Sequence, residues 1–133
     1  AVKAFFGMMA DEEVKHVEIL TDQYKAYQKN REFNPGNYTE GHSGNIASIV
    51  ITAELKDEIS AADYEAAAIS AAMSMEKNAI KLYDDRAAEA ADPNEKALYK
   101  WLAEWENQHL LFLSEIDKEL REQVWHDNSF WPF

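Results

Sequence analysis

The sequence predicts an all-α protein, a bundle of a few long helices. Its 133 residues include only four glycines and three prolines, whereas alanine, glutamate, lysine and leucine, which favour helices, are abundant. Hydrophobic residues recur every three or four positions over stretches much longer than a strand. A hydrophobic content of 47% with 29% charged residues is ordinary for a folded domain, so we expect residues 1–133 to form a single one.

Three long helices are expected. The first spans Val2 to Arg31 and stops before the turn signal Asn34-Pro35-Gly36-Asn37. The second runs from Ser60 to Ala91, and the third begins at Asp92-Pro93, where Asp is the N-cap and Pro the first helical residue, and continues to about Gln123. The connection between the first two is long enough to run the length of the bundle, which predicts a crossover topology.

Charge and composition exclude several kinds of function. The formal net charge of −12 and the pI of about 4.6 disfavour binding to nucleic acid or to an anionic membrane surface. With no cysteine, the chain has no disulfide, no thiolate metal site and no rubredoxin-type iron centre of its own. No apolar run reaches the ~18 residues of a membrane span and no signal peptide is evident, so we expect a cytoplasmic protein.

Two stretches carry the chemistry: Glu13-Val14-Lys15-His16 and Glu106-Asn107-Gln108-His109. In each, a carboxylate and an imidazole three residues apart share one helix face. That face is also the apolar stripe of its helix, and a buried carboxylate without a partner is costly. A bound cation would remove this cost. The alternative is that these residues lie on the solvated faces of their helices. Two pairs in matching apolar stripes favour a metal site instead.

The two motifs belong to a repeat. A shift of 93 residues carries His16 onto His109, and it also superposes four further identical pairs as well as Glu13 on Glu106: Lys3 on Lys96, Ala4 on Ala97, Ala10 on Ala103 and Leu20 on Leu113. The second helix adds Glu76 within its own apolar stripe, without a histidine three residues later; the alternative is a boundary residue paired with a nearby lysine. Asp11, Glu12 and Glu104 are predicted to be solvated.

This pattern resembles the rubrerythrin family of the ferritin-like superfamily. The resemblance lies in the paired Glu-x-x-His helices, the lone Glu76, Tyr83 seven residues beyond it and the closing segment Asp127 to Pro132. It implies a ferritin-like antiparallel helix bundle with a long crossover and a non-haem di-iron centre. The implied roles are bridging carboxylates from Glu13 and Glu106, one iron each for His16 and His109, a terminal carboxylate from Glu76 and a hydrogen-bond donor to a ligand from Tyr83. Mn or Zn could replace iron.

The resemblance also implies parts that this sequence lacks. The family's remaining glutamate belongs to a helix that would precede Val2, so we expect only three of the four long helices here, and three Glu and two His of an expected four and two. Either the sequence is a fragment of a longer protein, or a second copy completes the bundle by exchanging helices. We therefore expect a homodimer or higher homo-oligomer, in which the aromatic tail from Val124 to Phe133 packs onto the bundle or a second subunit.

The function implied is that of an oxidoreductase that reduces hydrogen peroxide or reacts with oxygen, as in a defence against oxidative stress. Electrons would come from an external donor such as a rubredoxin-like protein, and no catalytic residue is expected beyond the metal ligands. One alternative keeps the metal but makes it a ferroxidase for iron storage or detoxification. A second alternative is a non-catalytic helical assembly module with a relic metal site.

Overall fold

The computed structural model describes the backbone of residues 2–36, 38 and 63–127, and the side chains of residues 3–36, 38 and 66–122. Within these ranges the chain forms three helices and no strand: α1 (Val2–Asn30), α2 (Asp63–Glu89) and α3 (Pro93–Asp127). The all-α prediction is confirmed. The predicted start of the second helix at Ser60, most of the crossover and the end of the aromatic tail lie outside the described residues, whereas residues 124–127 continue α3 beyond its predicted end.

α1 ends one residue earlier than predicted, at a left-handed residue. The backbone N–H of Arg31 still donates to the carbonyl of Tyr27 at 2.8 Å, but Arg31 itself has a φ of 60°. This is the conformation that commonly terminates a helix. The side chain of Gln23 then holds the departing chain, because it donates to the carbonyl of Asn34 at 3.0 Å and accepts from the Asn34 N–H at 2.9 Å.

α3 begins at the cap that the sequence predicts. The Asp92 carboxylate accepts from the backbone N–H of Asn94 at 2.8 Å, as an N-cap does. Its second oxygen accepts from the backbone N–H of Phe33 at 3.2 Å, and the Asn94 side chain donates to the Phe33 carbonyl at 3.2 Å. One capping residue therefore both starts α3 and ties it to the chain leaving α1.

The helix directions follow from the contacts at the two ends of the bundle. Near one end, Phe5 at the start of α1 and Ile69 near the start of α2 pack in the same cluster as Phe112, in the second half of α3. At the other end, the chain leaving α1 meets the start of α3 at the Asp92 cap, and Tyr83 of α2 stacks on Tyr99 of α3 with ring centroids 6.2 Å apart. α1 and α2 thus both run antiparallel to α3 and parallel to each other. Two successive parallel helices need a connection that returns along the bundle, as the predicted crossover would.

The apolar core lies along α3. At one end it consists of seven buried side chains, from all three helices: Phe5, Met9, Ile69, Phe112, Leu113, Ile116 and Leu120. Toward the other end, Leu98 and Leu102 are completely buried. Each such side chain contributes about 1.5–3 kcal/mol relative to an exposed one. Glu106 and His109 lie between these two apolar parts, so the bundle encloses them on both sides along the helix axis.

The outer faces of the helices carry many charged side chains. On α3, for example, Arg121 pairs with Asp117 at 2.8 Å and Lys118 with Glu122 at 3.8 Å, each one helical turn apart. Exposed pairs of this kind add little stability but keep the surface hydrated. Within the described residues, no helix combines the length and hydropathy required to cross a membrane.

Candidate metal centre

All five predicted ligands meet in the middle of the bundle. α1 supplies Glu13 and His16, α2 supplies Glu76, and α3 supplies Glu106 and His109. His16, Glu106 and His109 are each only 1% exposed. Each Glu-x-x-His pair therefore faces the site from its own helix, as the i, i+3 spacing predicts.

Glu106 lies between the two imidazoles. Its Oε1 is 3.0 Å from Nδ1 of His16, and its Oε2 is 3.3 Å from Nδ1 of His109. Each oxygen faces a different histidine, so this carboxylate lies between the two imidazoles.

Glu13 repeats this arrangement from α1. Its Oε2 is 3.3 Å from Nδ1 of His16, and its Oε1 is 3.6 Å from Nδ1 of His109. Its side chain is nevertheless 49% exposed, whereas that of Glu106 is 2% exposed. The two carboxylates predicted to bridge thus have matching geometry but different access to water.

Glu76 completes the side that holds His109. Its Oε1 lies 3.5 Å from Nδ1 of His109. Glu13, Glu76, Glu106 and His109 each bring one ligand atom to within 4.8 Å of all the others, a spacing that can hold a metal ion. His16 joins this group through the two carboxylates that it shares with His109. Within the described residues the His109 side therefore offers four donor groups and the His16 side three.

The buried polar atoms of the site fit a metal. Among the described residues, Nδ1 of His16, Nδ1 of His109 and Oε2 of Glu106 have no hydrogen-bond partner of acceptable geometry, although carboxylate oxygens lie within 3.0–3.6 Å of both imidazole nitrogens. Buried polar atoms are rarely left in this state. Both imidazole nitrogens face the carboxylate of Glu106, and a set of imidazole and carboxylate donors suits Fe(II), Mn(II) or Zn(II).

The charges of the site shift the pKa values of its central groups. Burial alone would lower the pKa of His16, but the carboxylates of Glu106 and Glu13 raise it to about 9. Burial likewise opposes the charge of His109, and Glu106, Glu76 and Glu12 raise its pKa to about 10. Burial would raise the pKa of Glu106, yet the two imidazoles hold it at about 2. Without a metal, the imidazoles are thus cationic and neutralise part of the carboxylate cluster.

A family model described as Rubrerythrin matches residues 1–116. The chain belongs to the rubrerythrin family. No curated protein and no solved structure matches the chain. Membership implies a di-iron site, and Glu13, Glu76, Glu106 and His109 provide a group that can hold a metal ion within a rubrerythrin-type helical bundle.

An open cleft connects this rubrerythrin-type site to solvent. It has a volume of about 320 Å³ and runs between α1 and α2, with Glu13, Glu76 and Glu106 among its lining residues. Burial is the main reason that the pKa of Glu76 is raised, an effect that the nearby imidazole of His109 opposes. The carboxylates are thus reached from one side by small molecules and enclosed by α3 on the other.

Tyr83 lines the same cleft. Burial, together with the negative charges of Glu106 and Glu13, raises its pKa to about 12, so its hydroxyl keeps its proton. Within the described residues its hydroxyl forms no hydrogen bond to a carboxylate. Its role as a donor to a ligand therefore stays a prediction.

The prediction that Glu12 is solvated is wrong. Asp11 and Glu104 are exposed as expected, but Glu12 is only 6% exposed and contacts His109. On the helical wheel of α1, Glu12 lies about 20° beyond Phe5 at one edge of the apolar stripe and Glu13 lies at the other edge, so the helical period alone did not distinguish them. Its burial comes from contacts with Trp105 and His109 of α3.

Proposed function

We propose that the protein is a non-haem di-iron oxidoreductase that reduces hydrogen peroxide or reacts with oxygen. The observation that carries the proposal is the placement of Glu13 and Glu106, each of which reaches the Nδ1 atoms of both His16 and His109. A site for a single ion has no need of two carboxylates that both span two imidazoles. The same carboxylates border a cleft open to solvent, which admits a molecule as small as peroxide.

Each residue has a defined task in this proposal. Glu13 and Glu106 would bind both ions, His16 and His109 one each, and Glu76 the ion beside His109. Two Fe(II) ions, when bound, supply the two electrons that cleavage of an O–O bond requires. Apolar side chains of α1 and α2, among them Met9 and Ala72, line the cleft beside the carboxylates and limit the water at the site.

Tyr83 has a protonated hydroxyl in the same cleft as the carboxylates. Peroxide needs protons as it is reduced to water, and the raised pKa of Tyr83 keeps a proton on its hydroxyl oxygen in the cleft. We propose that this hydroxyl orients a ligand carboxylate or the substrate by donating a hydrogen bond. Tyr83→Phe should then slow peroxide turnover without changing the amount of iron bound.

We also propose two kinds of partner. One is a further copy of the chain, because α1 exposes Val14, Val17 and Tyr24, three large hydrophobic residues on one face. The other is an external electron donor such as a rubredoxin-like protein, since the sequence has no cysteine for an iron–thiolate centre. The mass in solution by light scattering and the rate of iron re-reduction by added rubredoxin test these two proposals.

The test of the function is a single-turnover experiment. The full chain is purified without metal, loaded anaerobically with Fe(II), and mixed with hydrogen peroxide or oxygen in a stopped-flow spectrometer. We expect two Fe(II) per chain, consumption of one peroxide for each pair of irons oxidised, and repeated turnover when a reductant is present. Glu106→Ala should lose both the iron and the reaction, while Glu104→Ala, an exposed residue of the same helix, should keep both.

Other outcomes would favour the other functions. Iron that accumulates far beyond two ions per chain, with oxidation that continues without a reductant, would indicate a ferroxidase. Oxidation no faster than that of Fe(II) in buffer would indicate a relic site in an assembly module.

A further inference from the structure

The two halves of the site differ at the position that precedes each glutamate ligand. The shift of 93 residues that carries Glu13 onto Glu106 carries Glu12 onto Trp105. One copy therefore has a carboxylate where the other has an indole. Both side chains point into the site, and they contact each other, because Nε1 of Trp105 donates to Oε2 of Glu12 at 2.9 Å.

Glu12 supports the histidine of the opposite helix. Nε2 of His109 donates to Oε2 of Glu12 at 2.7 Å, and both side chains are buried. The other nitrogen of this ring, Nδ1, faces the carboxylates of Glu13, Glu76 and Glu106. A carboxylate that accepts from Nε2 places the ring proton there and leaves Nδ1 as the nitrogen with a free lone pair.

His16 has no equivalent support among the described residues. Its Nδ1 faces Glu106 and Glu13 in the same manner, but its Nε2 is buried and has no hydrogen-bond partner within the described part of the chain. Trp105 instead packs edge-on against the imidazole, with centroids 4.4 Å apart and an interplanar angle of 84°. This packing restricts the ring, but an indole N–H has no acceptor to offer an imidazole N–H.

We propose that Glu12 is a positioning residue for His109, and that the two imidazoles are consequently unequal: among the described residues, Nε2 of one is held by a carboxylate, whereas the other ring is packed by an indole and its Nε2 has no such partner. The inference rests on the proposed metal site. An imidazole fixed in tautomer and orientation, and made more basic by a carboxylate, binds a metal ion about 10–100-fold more tightly than one without such a partner. The half-site of His109 is therefore the one that depends on Glu12.

The test is a titration of the metal-free full chain with Co(II), followed through the visible absorption of the bound ion. Glu12→Ala should weaken the tighter binding step about 10–100-fold. Glu12→Gln, whose amide oxygen still accepts from Nε2 without a negative charge, should restore part of the affinity. Asp11→Ala is the matched control, since it removes the same charge from the neighbouring exposed position and should change either step by less than about threefold.

A second comparison assigns the effect to one histidine. In a His16→Ala background, which keeps the His109 half, adding Glu12→Ala should cause the full loss of affinity. In a His109→Ala background it should cause almost none, as expected when two residues act through each other.

The outcomes separate this inference from the proposed function. If wild-type protein binds no Co(II), both are overturned. If it binds two ions but Glu12→Ala and Glu12→Gln resemble Asp11→Ala, or if Glu12→Ala acts equally in both histidine backgrounds, only the role of Glu12 is overturned. Thermal unfolding of each metal-free variant shows whether a lost affinity reflects a lost fold.

Discussion

The two copies of the repeat carry the same ligands in different surroundings. On α3, the Glu106 side chain is 2% exposed and Leu113 is completely buried, whereas on α1 the Glu13 side chain is 49% exposed and Leu20 is partly exposed. α3 is covered by both of the other helices, while α1 borders the open cleft. The repeat thus conveys which residues face the site, and the position of the helix in the bundle decides how much each residue contributes to stability.

The largest difference is expected between the two bridging glutamates. Glu106→Ala removes the buried partner of two cationic imidazoles, so it should destabilise the metal-free protein by about 3–5 kcal/mol. Glu13→Ala removes a half-exposed partner and should cost about 1 kcal/mol or less. Urea unfolding of the metal-free variants measures both. Each change should nonetheless impair metal uptake, measured as metal content per chain.

Glu104→Ala, an exposed change on α3, is the control for that pair. Equal losses of stability for Glu13 and Glu106 would contradict the idea that burial sets the difference between the copies.

The matched leucines test the same comparison without any charge. Leu113→Ala should cost about 2–5 kcal/mol, because Leu113 is 0% exposed within the apolar cluster and its removal leaves a cavity. Leu20→Ala, at the equivalent position of the repeat, should cost about 1 kcal/mol, since part of that side chain is already in water. Denaturant midpoints at a constant m-value would measure the difference. A larger loss at Leu20 would mean that another segment covers α1 in solution.

The sequence predicted the helices and the residues that face the site, but not the different surroundings of its two halves. Helix identity, the Asp92 cap and the inward faces of Glu13, His16, Glu106 and His109 follow from local rules of spacing and capping, which act within one helix. The burial of Glu12 depends on which side chains the opposite helix presents, namely Trp105 and His109, and so does the open cleft beside Glu13. Such features arise from the packing of one helix against another, and a single helix period cannot supply them.

A pH series sharpens the comparison between the two imidazoles. His16 and His109 have folded pKa values of about 9 and about 10, above the ordinary 6.5. Their stabilising contribution is therefore complete below about pH 6.5 and is lost as the pH rises through 9 and 10. Glu106, with a folded pKa of about 2 against 4.5, contributes above pH 4.5 and loses that contribution as the pH falls through 2.

The midpoint of thermal unfolding of the metal-free protein, followed from pH 4 to pH 10, should consequently be highest in the acidic half of this range. His109→Gln should end the alkaline decline near pH 9, whereas His16→Gln should leave a decline that continues toward pH 10. A metal-free protein whose Tm rises from pH 6.5 to pH 9 would contradict the arrangement of charges described for the site.

The smallest expected effect has opposite signs with and without metal. Burial raises the pKa of Glu76, so its ionised form costs stability in the folded metal-free protein at neutral pH. Glu76→Gln should therefore raise the Tm of the metal-free protein by a few degrees at pH 7. That gain should disappear below pH 4.5, where the carboxyl is protonated in both the folded and the unfolded chain.

The same substitution should weaken Co(II) binding, because it removes a donor from the side of His109. Glu13→Gln is the control, and it should give no such gain because that side chain is half hydrated and its carboxylate pairs with His16. A loss of stability in metal-free Glu76→Gln would show that Glu76 is held there by a favourable ion pair with His109, and not kept in place at a cost for the sake of the metal.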